Sequence, residues 1–298
     1  MASDARDTVS VVMPFYNGSL FVTEALASVR AQTRPPDEVV VIDDGSRPEE
    51  AAALDAAVAA SGVPCRVIHL PQNRGVSVAR NVGIVRATST FIAFLDCDDQ
   101  WMPDKLERQM QFLHENPDSR AVHAGIKSVH PNGREVIDEK RAVVFDDLVQ
   151  FPCPVMPSAL IMQREALVES GLFDPTLRVC QDVALCLRFA WLYPIGCISG
   201  VSVVRRVHPD GLSRNEVVFH HEADRVFRDF RYVFKNEKAA VETMVELHAD
   251  FFLRALYLRD AKACWRVFRR ATRHDVTVPR LLVRVVRDLF RNRSKRRA

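Results

Sequence analysis

Through its first hundred residues the chain alternates short apolar runs with stretches of helical period. Residues 9–13 form a mostly apolar run that ends at Pro14, and residues 39–42, 66–70 and 91–95 form three more. Such runs are continuous and apolar, not alternating, which predicts strands covered on both faces. Between them, residues 20–31 place Val22, Leu26 and Val29 on one face, predicting a helix. The Ala-rich stretch 49–60 reads as a helix stopped by Gly62, and residues 76–87 as another. Strand–helix–strand repetition with short links implies a parallel, doubly wound sheet. Ligands on such sheets lie at the carboxyl ends of the strands. The polar clusters 14–18, 43–46, 72–75 and 96–99 all fall at those ends and are expected to crowd one rim.

Beyond the fourth run the pattern is mixed. Asn132-Gly133 is a hairpin-type turn signal. Residues 182–191 read as a helix and 195–207 as one or two strands, and from about Phe219 the chain reads as helices to its end, broken at Pro279.

At 298 residues, 48% apolar and 27% charged, the chain has an ordinary globular composition with room for a sizeable core. Seven cysteines at irregular spacing include no CxxC pair, which argues against a structural zinc site and fits reduced, buried thiols in a reducing compartment. The first residues lack an apolar signal core, and no run of 18 apolar residues occurs. The expectation is therefore a cytoplasmic protein. Its net charge of +3 conceals an asymmetry: residues 254–298 hold 15 Lys/Arg against 3 Asp/Glu, leaving an acidic body. Within 279–298, Leu281, Leu282, Val285, Val286, Leu289 and Phe290 are interspersed with arginines. That pattern suits either a helix packed on the body or an interfacial helix on anionic lipid at the inner face of the cell membrane. Nucleic acid is not expected as a partner, because the tail lacks interleaved aromatics and the body is acidic.

The strongest local chemistry is Asp96-Cys97-Asp98-Asp99, directly after a buried run. Three carboxylates in four residues read either as a solvated acidic turn or as a site for Mg²⁺ or Mn²⁺. Asp43-Asp44-Gly45-Ser46 is a second acidic strand end, which alone would read as a turn. Asn73-Arg74-Gly75 precedes a helix bearing Arg80, an arrangement suited to phosphate. Neither a P-loop nor a dinucleotide fingerprint is present.

Taken together, the segments VSVVMPFYNG (9–18), SVRAQT (28–33), EVVVIDDGS (38–46), NRGVSVARNVGI (73–84) and FIAFLDCDDQWMPDKLE (91–107) resemble glycosyltransferase family 2, the inverting enzymes of the GT-A fold. SGLFDPTL (170–177), QDVALCLRFA (181–190) and RRVHPDGLSRN (205–215) match later blocks in the same order. The resemblance implies a GT-A-type, Rossmann-like, doubly wound, mostly parallel α/β sheet. It implies a nucleotide-sugar donor, with UDP as the usual nucleotide, and a glycan or lipid-linked acceptor in cell-surface polysaccharide synthesis. By the same resemblance Pro14, Phe15 and Tyr16 line the base pocket, Asp44 bonds the base and Arg80 positions the nucleotide or its phosphates. Asp96 and Asp98 form the DxD pair, with Asp98 the direct metal ligand, while Asp99 contacts metal or sugar. His208 approaches the metal or diphosphate. Asp182 is the catalytic base, and Gln181 stands where the family usually has a second acidic residue. Read without the family, Asp182 is a helix N-cap.

The expected organisation is a transferase domain over residues 1–215, with a nucleotide-sugar half (8–103) and an acceptor half (104–215), followed by a basic helical extension (216–298). The competing reading is a non-catalytic nucleotide-sugar-binding or regulatory subunit, motivated by Gln181.

Overall fold

The computed structural model describes residues 7–139, 155–208 and 216–229. The chain divides into two compact units: Met1–Leu148 with Pro154–Gly211, and Val149–Cys153 with Leu212–Ala298.

In the first unit the expected alternation is realised as β1 (Val9–Phe15), α1 (Ser19–Arg30), β2 (Glu38–Asp43), α2 (Pro48–Ser61), β3 (Cys65–His69), α3 (Val76–Arg86) and β4 (Phe91–Phe94). Strands β1 to β4 are all parallel, in the order β3-β2-β1-β4. Val11 is opposite Val39 on one side and Ala93 on the other, so β1 is central and wholly buried. Helix α1 buries Val22, Ala25, Leu26 and Val29, the face its period predicts. Helix α2 ends at Gly62 in the left-handed region (φ +66), as its sequence predicts.

The remainder of the unit extends this sheet with mixed pairings. It comprises β5 (Gln100–Trp101), α4 (Lys105–Glu115), β6 (Ala121–Val129), β7 (Glu135–Asp138), a 3-10 turn (Pro157–Ala159), β8 (Ile161–Gln163), α5 (Arg164–Glu169), α6 (Gln181–Leu192) and β9 (Ile195–Arg206). The sheet continues β4-β8-β6-β9-β5, with β8 antiparallel to both neighbours and β9 parallel to β6. The Asn132-Gly133 signal lies in the tight link of the antiparallel β6–β7 pair. In the second unit, α7 spans Glu216–Asp229. Among the described residues no helix is long and apolar enough to cross a membrane. The tail pattern at 279–298 lies outside the described residues.

The strand order fixes where a ligand can sit. The chain winds from β1 outward to β3, then crosses to the opposite side of β1 to lay down β4. The direction of winding reverses between β1 and β4, which opens a crevice beyond their carboxyl ends. The polar clusters that follow β1 and β4 flank that crevice.

Candidate active site

Three of the four polar clusters are knitted together by hydrogen bonds from backbone N–H groups. Asp44 donates its N–H to Phe15 O at 2.8 Å, and Asn17 donates its N–H to Ser46 Oγ at 3.0 Å. The two oxygens of Asp44 accept the N–H groups of Arg74 and Gly75, each at 2.8 Å. Gly45 makes this approach feasible: its φ is +68, and a Cβ there would lie 2.3 Å from the carbonyl carbon of Gln72. Burial pushes the Asp44 carboxyl above its usual range, against the pull of the two N–H donors. The side chain expected to face a base is 3% exposed and holds the 72–75 loop in place.

Tyr16 is the member of the Pro14-Phe15-Tyr16 trio that reaches solvent. Pro14 and Phe15 belong to a strand covered on both faces, and Phe15 joins the hydrophobic core. The expectation that all three line a pocket is corrected to Tyr16, because consecutive strand residues point to opposite, equally covered faces.

The acidic loop after β4 separates its carboxylates. Asp96 accepts from Arg80 Nη2 at 2.6 Å. Arg80 is 3% exposed, lies 5.2 Å from the Phe173 ring centroid, and has Nε and Nη1 without partners among the described residues. Asp98 lies 2.9 Å from His208 Nε2, and the His208 ring stacks on Phe21 at 5.5 Å. Phe21 also carries the guanidinium of Arg206 at 4.8 Å, and Arg206 pairs with Glu24. Asp99 turns inward, where it accepts from Ser158 Oγ at 2.6 Å and from the Arg206 N–H at 3.3 Å. Burial, then the charges of Asp98 and Asp96, push its carboxyl well above the usual range. Asp99 is therefore a buried structural carboxyl, which corrects its expected contact with metal or sugar. Cys97 packs against the core, with Sγ only 2.8 Å from where a Cβ on Gly18 would lie.

Asp182 lies in the first turn of α6, where a carboxylate is favoured by the helix dipole. The N-cap position is held by Cys180, so the helix begins two residues earlier than an Asp182 cap requires. Cys180 adopts φ +55, a left-handed conformation that costs a non-glycine residue about 1–2 kcal/mol. Asp182 accepts the Val183 N–H at 2.8 Å. Burial pushes its carboxyl up, the Val183 N–H and Arg80 pull it down, and Asp96 pushes it up again. The charges of Arg80 and Asp96 reach Asp182, so the start of the 181–190 block lies within electrostatic range of the acidic loop. Gln181 is buried beside it, with Oε1 unpartnered among the described residues.

Among the described residues no three His, Cys, Asp or Glu side chains converge as a preformed metal cluster. Asp96 is engaged by Arg80, which leaves Asp98 and His208 as adjacent donors. Two donors fit a divalent ion that takes its remaining oxygens from a bound phosphate, the usual habit of Mg²⁺. Sequence reasoning missed Ser158, Phe21 and Arg206. Ser158 stands in no motif, and Phe21 sits in an ordinary amphipathic helix. Arg206 lies two residues before His208, a proximity that could have marked it.

A family model described as glycosyl transferase family 2 matches residues 10–147. An uncharacterized glycosyltransferase of Rickettsia felis is 32% identical over 195 residues, covering 64% of this chain and 31% of that protein. The chain thus spans about a third of the length of that relative. The putative teichuronic acid biosynthesis glycosyltransferase TuaG of Bacillus subtilis is 35% identical over 116 residues, 37% of this chain and 43% of that one. Among solved structures, S. aureus TarS 1-349 in complex with UDP-GlcNAc superposes with a TM-score of 0.68 at 20% identity, covering 87% of this chain and 79% of that chain. The mannosyltransferase PcManGT of Pyrobaculum calidifontis, in complex with GDP-Man and Mn²⁺, gives 0.63 at 18% identity, covering 96% and 81%. The fold is that of the GT-A glycosyltransferases.

Proposed function

We propose that the chain, whose residues 10–147 match the model of glycosyl transferase family 2, is an inverting enzyme moving a sugar from a UDP-sugar to a hydroxyl of a glycan or lipid-linked acceptor in polysaccharide synthesis. The observation that carries this reading is the pairing of the buried Arg80 with Asp96 at the rim, within electrostatic range of the Asp182 carboxyl.

Asp182 takes the proton of the acceptor hydroxyl, a task suited to a carboxyl raised by burial. The freed oxygen pair bonds to the anomeric carbon while the bond from that carbon to the donor diphosphate breaks on the opposite face. The configuration inverts, and no covalent enzyme intermediate forms. Arg80 offers its unpartnered N–H groups to the diphosphate, and the exposed Tyr16 ring offers a face for the base. Asp98 and His208 would hold Mg²⁺ or Mn²⁺, which when bound supplies positive charge against the leaving diphosphate. The UDP-GlcNAc bound by TarS and the Mn²⁺ bound by PcManGT support the choice of donor and metal. TuaG, by its name, supports a polymer acceptor.

The test is UDP release with purified chain, a panel of UDP-sugars and acceptor extracts, with the anomeric configuration of the product read by NMR. A retained configuration refutes inversion, and binding without any release favours the non-catalytic subunit that Gln181 brings to mind. Placement at the inner face of the membrane is part of the same proposal. It rests on the basic, apolar pattern of 279–298. Deleting that segment should release the protein from anionic vesicles, and unchanged partitioning would refute it.

A further inference from the structure

The residue that grips the acidic loop hardest is a serine with no part in the chemistry. Ser158 is the middle residue of the 3-10 turn Pro157–Ala159 and is fully buried. Its Oγ donates to Asp99 Oδ2 at 2.6 Å and accepts the Asp96 N–H at 3.1 Å. Its carbonyl accepts the Trp101 indole N–H at 2.8 Å. One residue thus holds the loop at its first member, its last member and just beyond. The turn is itself anchored, because Gln109 Nε2 donates to Ala159 O at 2.9 Å and to Val122 O at 3.1 Å.

The geometry limits what the loop can do. With the Asp96 backbone and the Asp99 carboxyl both tied to Ser158, only Cys97 and Asp98 lie between the fixed points. Cys97 is packed against the core. The direction of Asp98 toward His208, and of Asp96 toward Arg80, then follows from the two ties. A serine hydroxyl can donate once and still accept, which is what both ties require together. Alanine would leave a loop N–H and a buried carboxyl without that partner.

We propose that Ser158 is a positioning residue of the transferase, which aims Asp96 and Asp98 at the donor's diphosphate end by clamping the loop from β8's side of the sheet. What the two aspartates do there rests on the function proposed above. The clamp itself belongs to the loop and is measurable without donor or metal.

The experiment compares wild type, Ser158→Ala and Ser158→Thr by amide hydrogen exchange, free of metal and nucleotide, and then by titration of Mn²⁺ in the presence of UDP, read by electron paramagnetic resonance. Ser158→Ala should speed exchange in peptides covering 95–101 by about tenfold or more and leave β1 peptides unchanged. The half-saturating Mn²⁺ concentration should rise by about the same factor, and Ser158→Thr, which keeps the hydroxyl, should restore both. Unchanged loop exchange overturns the proposal. So does loosening spread equally over β1, or a loosened loop with Mn²⁺ binding unaltered, since either marks a residue that is structural only. Should Ser158→Ala fail to fold, Trp101→Phe keeps a ring but removes the indole N–H and should loosen the same peptides. If wild type does not bind Mn²⁺ with UDP, the transferase reading falls and takes the aiming role with it, while the exchange data still decide the clamp.

Discussion

Replacing Asp182 by Asn separates catalysis from stability. The carboxyl is pushed up mainly by burial, with the Val183 N–H and Arg80 opposing and Asp96 adding to the rise. An unfolded chain would titrate near the ordinary value, about 3.9. Between that value and the raised native value, the folded state holds the proton more tightly than the unfolded one. Stability therefore falls as pH climbs through this window, and the full penalty stands at neutral pH. Each unit of the rise corresponds to about 1.4 kcal/mol. Asn is neutral and keeps a carbonyl oxygen for the Val183 N–H, so the variant escapes the penalty and retains the bond. The melting temperature at pH 7 should stay level or rise, and the advantage should vanish near pH 4. Transfer should fall by about 10²–10⁴. Were Asp182 only a helix cap, its loss would cost about 0.5–2 kcal/mol and spare turnover. UDP release and differential scanning fluorimetry on the same preparation decide the matter. Retained turnover with a lowered melting temperature refutes the base assignment. Gln181→Glu is the companion, since a carboxylate beside Asp182 should move the acid limb of the pH–rate profile to higher pH.

Asp98→Ala should abolish transfer and the response to Mn²⁺ while shifting stability by less than about 0.5 kcal/mol; near wild-type turnover in EDTA would contradict the metal-assisted reading. Asp44→Ala should weaken UDP binding and also lower stability by about 1.5–3 kcal/mol, because two loop N–H groups lose a charged acceptor. An unchanged urea midpoint refutes its loop-holding role. Lys105→Met should raise stability by about 1–3 kcal/mol, because Lys105 is wholly buried with its amine unpartnered among the described residues, over the Trp101 ring at 4.1 Å. Burial lowers the Lys105 amine well below its usual range, so wild-type stability should rise with pH up to about 10.4, and this component should be missing in the variant.

The parallel half of the fold was legible because its strands are continuous apolar runs separated by helices with clear ends. Helix α4 was not, because Lys105 and Gln109 occupy buried positions where an amphipathic pattern would place apolar residues. Strands β6 and β8 were obscure for another reason: their pairings join distant segments. Strand β9 was legible at 195–207, but its register shifts opposite Gly125 were not. In the site, residue types were legible and directions were not. The four residues after β4 form a turn closed by the Asp99 N–H on Asp96 O at 3.0 Å. Strand alternation therefore says nothing about where Asp99 points.

That turn resolves the problem the sequence poses, which is how three carboxylates fit into four residues. Asp99 is buried and held toward its neutral form by lack of solvent, with Ser158 and the Arg206 N–H as partners. Asp96 is matched by the buried Arg80 guanidinium. Asp98 lies beside His208, without a fixed cation against it among its described partners. The loop thus presents far less negative charge to the crevice than its composition implies. A diphosphate approaching Arg80 meets one uncompensated carboxylate instead of three, and a divalent ion there would draw most of its anionic ligands from the donor. Metal and nucleotide should then bind each other's complex far better than either binds alone. In the Mn²⁺ titration this appears as weak binding without UDP and strong binding with it; equal affinity in both would contradict the charge partition.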